Sequence, residues 1–63
     1  MPLTGKEMLK LLRQNGWRVV RINGSHHILR KEGVATKIVL PIHGKDTLKP
    51  GIEHSILKQA NLK

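Results

Sequence analysis

The residues best equipped for chemistry are a histidine pair beside a turn signal, Asn23-Gly24-Ser25-His26-His27. Imidazole is the side chain that exchanges a proton near neutrality, so it can act as base or acid. Asn-Gly between strand-forming runs is a strong hairpin signal. A two-residue loop at Asn23-Gly24 predicts Ile22 opposite Ser25, Arg21 opposite His26 and Val20 opposite His27. Side chains alternate between the faces of a sheet. His26 then shares a face with Arg21, Trp17, Val19, Ile28 and Arg30. The other face holds Val20, Ile22 and Leu29, with Arg18, Ser25 and His27. Its three aliphatics favour that second face as the buried one. His26 is then accessible, and His27 points inward or sits at the rim.

What is missing narrows the chemistry further. The four acids are Glu7, Glu32, Asp46 and Glu53. No two of them are spaced as a metal-binding pair, so a two-metal nuclease is not expected. A glycosidase-like carboxylate pair is equally unsupported. Adjacent strand histidines face opposite ways and do not chelate one ion together. Cysteine is absent, which removes disulfides and thiolate zinc sites. No phosphate-binding P-loop is present. RNA, however, carries its own nucleophile, the 2′-hydroxyl. Cleaving it needs a base for that proton, donors for the phosphate oxygens and an acid for the leaving group. His26 can be the general acid/base, taking the hydroxyl proton and also returning one to the leaving oxygen, with Arg21, Lys37 or the Gly24 and Ser25 amides on the phosphate. His43 is a candidate second acid, although a loop-structuring role is the favoured reading for it. No metal and no cofactor are expected.

Charge points to the same ligand class. The chain has 63 residues, with 12 Lys and Arg against 4 Asp and Glu, a net charge of +8. An excess this large on so short a chain is a footprint of nucleic-acid binding. Arg21, Arg30, Lys37, His43 and Lys45 are the candidate RNA-binding residues. There is no long apolar run and no signal-peptide core, so no membrane role is expected and the cytoplasm is the expected compartment. Residues 1–63 read as a single domain. So small a core supplies only about 3–5 kcal/mol, which leaves a partner or oligomer as a source of stability.

The elements that must position these residues follow from local signals. Thr4 caps a first helix, with Glu7 completing a capping box. Met8, Leu9, Leu11 and Leu12 form its apolar stripe, and Asn15-Gly16 ends it. Residues 17–22 and 25–31 read as the hairpin strands, and residues 36–40 as a third strand stopped by Pro41. Residues 42–49 form a polar loop. Pro50 opens a second helix with a stripe of Ile52, Ile56, Leu57 and Ala60, and Asn61 is its left-handed cap. The order is α-β-β-β-α, an α+β fold. Two helices cover one face of a three-stranded antiparallel sheet and leave the other open.

In this order the chain resembles the HicA family of toxins from type II toxin–antitoxin systems. The resemblance spans nearly the whole length. It runs from a first helix into Gly16-Trp17, through Arg21 and Gly24-Ser25-His26, to Leu40-Pro41-Ile42-His43. It ends in Leu48-Lys49-Pro50-Gly51 leading to Ser55-Ile56-Leu57-Lys58-Gln59-Ala60. The resemblance implies a double-stranded-RNA-binding-domain-like fold. It also implies an endoribonuclease (mRNA interferase) that cleaves mRNA and arrests translation, and the lack of paired acids makes metal independence the expectation. The implied partner is a HicB-like antitoxin, with DNA met only indirectly through it. The family's active histidine directly follows Gly-Ser, so the role falls on His26, with His27 as runner-up and Gly24, Ser25 and Arg21 in support. Two departures stand out: Asn61 replaces a usual glycine, and Arg30-Lys31-Glu32-Gly33 lacks the His-Pro of many relatives. The alternative reading is a non-catalytic RNA-binding module of the same fold.

Overall fold

Thr4 and Glu7 start the first helix as their spacing requires. In the computed structural model, which describes residues 2–62, α1 spans Gly5–Gln14. The Glu7 amide donates to Thr4 Oγ1 at 3.1 Å, and the Thr4 amide donates to Glu7 Oε1 at 2.9 Å. These bonds satisfy amides that a helix start leaves unpaired. At the other end Asn15 Nδ2 donates to the Leu11 carbonyl at 2.8 Å, and Gly16 turns the chain at φ +93°. That conformation favours glycine because a side chain would clash there.

Three strands follow: β1 (Arg18–Asn23), β2 (His26–Arg30) and β3 (Ile38–Pro41). They pair antiparallel in the order β1-β2-β3. The second helix, α2 (Pro50–Gln59), has proline in its first turn and is followed by Asn61 at φ +61°. The architecture is α-β-β-β-α, with a small open sheet and a double-stranded-RNA-binding-domain-like fold. No helix among the described residues is long and apolar enough to cross a membrane.

One face of the sheet is buried. Leu29, Ile38 and Leu40 cluster with Met8 and Leu12 of α1, with Ile56 of α2 and with Ala60, which caps the end of α2. Burying each of these larger side chains contributes about 1.5–3 kcal/mol before chain entropy is counted. Both helices rest chiefly on β3. The opposite face carries Arg21, Ile28 and Val39 in one row, and Val39 is 44% exposed.

The hairpin register corrects the sequence expectation by one residue. Asn23 pairs with His26, Ile22 with His27 and Arg21 with Ile28, so Gly24-Ser25 is the loop. Gly24 has φ +62°, and Asn23 and Ser25 do not have positive φ. A turn at Asn23-Gly24 would require positive φ at both residues, whereas glycine first in the loop needs it only there. The register also slips between Val19 and Arg21, leaving Val20 as an extra residue in β1. A bulge of this kind reverses the facing of every residue before it. Trp17 is therefore buried and Val19 half-buried, while Val20 is 50% and Ile22 60% exposed. The expectation that Val20 and Ile22 point into the core is overturned; Leu29 alone of that trio is buried. Ile22 lies on the edge strand away from β3, beyond the support of the helices. In α2, Ile52 is 38% exposed rather than buried. The third strand begins two residues later than expected and includes Pro41 at its end.

Candidate active site

His26 opens β2, one residue past the loop glycine and serine, and its side chain is exposed. The pairing puts it in a row with Asn23 and Pro41. Arg21 is therefore a diagonal neighbour rather than the residue directly opposite. It shares the open face with His26 at the reach of about 7–8 Å that such diagonals have. His27 faces the other way, half-buried between Ile22 and Leu40, with Nδ1 3.4 Å from the Ser25 carbonyl oxygen. Adjacent histidines thus occupy separate environments.

The second histidine arrives from the loop after β3. Ile42 donates its amide to the Ser25 carbonyl at 2.8 Å. The chain then turns through Gly44 at φ +58°, closed by the Asp46 amide donating to the His43 carbonyl at 3.0 Å. This turn places His43 and Asp46 on the wall of a cleft of about 380 Å³ that also contains His26. Pro41, Lys49 and Ile52 complete much of its lining. Two imidazoles and an ammonium side chain in one cleft can exchange protons and hold an anion.

The wall is fixed from behind. Leu48 donates its amide to the Leu3 carbonyl at 2.7 Å, and Leu3 donates to Glu53 Oε1 at 2.7 Å. Thr4 and Thr47 form an isolated antiparallel bridge. A Cβ added at Gly5 would lie 2.9 Å from Ile42 Cα and 2.9 Å from the Pro41 carbonyl oxygen. Helix α1 therefore packs directly on the backbone that leads to His43.

The other expected residues are more dispersed. Arg30 ends β2 and reaches the Ala35 carbonyl oxygen at 3.4 Å. Lys37 lines a separate groove of about 330 Å³ beside Val39 and Ser55. Lys45 is exposed on the His43–Asp46 turn. Asp46 and Lys49 enter the cleft although neither was expected from the sequence to take part in chemistry. Gly44 was their one local signal, as a turn that could fold the loop back. Among the described residues, no three His, Asp or Glu side chains group as metal ligands.

No curated protein shows a significant match to the chain. The family model of the HicA toxin of bacterial toxin–antitoxin systems matches residues 5–62, and the chain belongs to that family.

Proposed function

We propose that this toxin is a metal-independent endoribonuclease that cleaves messenger RNA and so arrests translation. One observation carries the reading: exposed His26 and His43 line the same cleft, with Lys49 beside them. His26 takes the proton of the ribose 2′-hydroxyl, and that oxygen attacks the neighbouring phosphorus. The bond from phosphorus to the 5′-oxygen breaks, and His43 supplies the proton that the leaving oxygen needs. Lys49 offsets charge on the phosphate oxygens, as positioned cations do in a developing anionic transition state. The products are a 2′,3′-cyclic phosphate and a free 5′-hydroxyl. His27 is the weaker candidate because its ring is half-buried and near the Ser25 carbonyl.

A toxin–antitoxin toxin has an antitoxin partner. A HicB-like antitoxin with an acidic surface fits the basic chain, and complementary charge speeds encounter. Covering the cleft would silence it.

The test is cleavage of messenger RNA by the parent and by His26→Ala, both with EDTA present. The variant should lose about a hundred- to ten-thousand-fold in rate. Product ends should carry the cyclic phosphate. Parent activity abolished by EDTA, or equal cleavage by the variant, would overturn the mechanism. Binding without any product would leave a non-catalytic RNA-binding module.

A further inference from the structure

The exposed flank of α1 carries a second cationic surface, separate from the histidine cleft. Lys6, Lys10 and Arg13 line an open trough of about 510 Å³ with Leu9 and Gln14. The three cations lie at steps of four and three residues, which stacks them along one side of a helix. From Lys6 to Arg13 the stripe runs about 10 Å along the axis. Leu9 is half-buried on the inner side of the trough. Glu7 is the one acid in α1, and its carboxylate is engaged by the Thr4 amide. Glu7 lies beside Lys6 and three residues before Lys10, yet it is not part of the trough lining, so the stripe keeps an excess of three cations over one acid within its helix.

We propose that this trough is an exosite for the phosphate backbone of single-stranded RNA. The inference rests on RNA being the ligand of the chain, and it adds a site that none of the cleft residues provides. Spaced cations along a rod suit a linear polyanion, whose affinity comes from phosphate contacts and the release of counterions. Aliphatic Leu9 and the lysine stems offer an apolar surface to ribose and base. The position also suits delivery to the cleft. Lys6 directly follows Gly5, which packs on Pro41 and Ile42, and Pro41 lines the cleft. Helix α1, which bears the trough, therefore touches through Gly5 the backbone that leads to His43.

The experiment measures binding of a fluorescently labelled single-stranded RNA across a salt series, in the His26→Ala background so that the RNA stays intact. The test variant adds Lys6→Gln, Lys10→Gln and Arg13→Gln, since glutamine keeps a good helix former at each position. A charge-matched control adds Arg18→Gln, Lys31→Gln and Lys58→Gln instead. The test variant should bind about tenfold more weakly at moderate salt. Its salt slope should be shallower by about 0.7 for each phosphate that is no longer neutralised. The control should bind nearly as the background protein does. Equal weakening in both variants would mean a diffuse field rather than a site and would overturn the proposal. Unchanged RNA binding with impaired antitoxin binding would overturn it in favour of a protein-docking surface. Failure of the parent to cleave, with binding still dependent on α1, would sink the ribonuclease reading and leave the exosite standing.

Discussion

The Ile42 amide donates to the Ser25 carbonyl at 2.8 Å, tying the residue before His43 to the residue before His26. One backbone bond therefore joins the two segments that present the histidines. The cleft depends on two loops being held in register, rather than on either loop alone.

If the two rings act on one reaction, they should not behave as independent contributors. His43→Ala should reduce RNA cleavage by about a hundred- to ten-thousand-fold, as His26→Ala does. The double variant should be little worse than the poorer single one, since groups acting as a unit are far from additive. Single-turnover rates of the four proteins check this. Strictly multiplicative losses would separate the two residues. Both rings are exposed, so thermal unfolding should move little.

Gly5 couples the helix to the same loop. A methyl group there would meet Ile42 Cα and the Pro41 carbonyl oxygen at 2.9 Å each. Backbone gives way less readily than a flexible side chain. Gly5→Ala should cost about 1–3 kcal/mol, the usual range for overpacking. It should also lower cleavage by displacing His43. Denaturant midpoints and rates measured together test the coupling. A destabilised variant with parental turnover of the folded fraction would show that the loop does not follow the helix.

The capping box predicts an acid-sensitive component of stability. Hydrogen bonds from the Thr4 backbone and then its side chain hold the Glu7 carboxyl below its usual value. The charged form is thus favoured in the folded state. Its contribution is fully present above the unfolded glutamate value near 4.3 and is lost as pH falls through the lower folded value. The stability gap between parent and Glu7→Gln should therefore be open at neutral pH and closed in strong acid. Thr4→Ala should cost about 1 kcal/mol at neutral pH. Urea titrations at a series of pH values read both effects.

Trp17 carries an unusual cost inside the core. It is 3% exposed, and its Nε1 is buried without a hydrogen-bond partner. Trp17→Ala should cost about 3–5 kcal/mol. Trp17→Phe should cost much less, because it removes a donor whose burial costs about 1–3 kcal/mol. Urea unfolding distinguishes them. A loss from Trp17→Phe as large as that from Trp17→Ala would show that relieving the unpaired donor gives no benefit there.

Local signals were readable where one residue type has one strong reason to be in place. Thr4 with Glu7 marked the helix start, Pro50 the second helix, and Asn61 its left-handed end. His26 was legible as exposed because both the expected and the observed registers leave it on the open face. The register itself was not legible, since Asn23-Gly24 and Gly24-Ser25 are both good loops and differ only in which residues take positive φ. The bulge at Val20 left no mark, as no glycine accompanies it, and it exchanged the facing of Trp17 and Val19 relative to a regular strand. The union of His43 with His26 depends on a long-range backbone bond. No periodicity within the loop encodes that bond.

The back wall of the cleft offers the last prediction. Glu53 accepts the Leu3 amide at 2.7 Å, and Leu3 accepts the Leu48 amide at 2.7 Å. Leu48 lies between Thr47 and Lys49 in the cleft lining. Glu53→Ala removes the acceptor that orders Leu3, so the Leu3–Leu48 pairing should loosen as well. A hydrogen bond to a charged group contributes about 1.5–3 kcal/mol, less where solvent competes. Hydrogen exchange at the Leu48 amide should accelerate, while the Leu29 amide in the central strand should change only with global stability. The KM for RNA should rise as Lys49 loses its fixed position. Unchanged protection at Leu48 would break the link from helix α2 through the amino-terminal segment to the cleft, and would leave Glu53 a local cap of Leu3 alone.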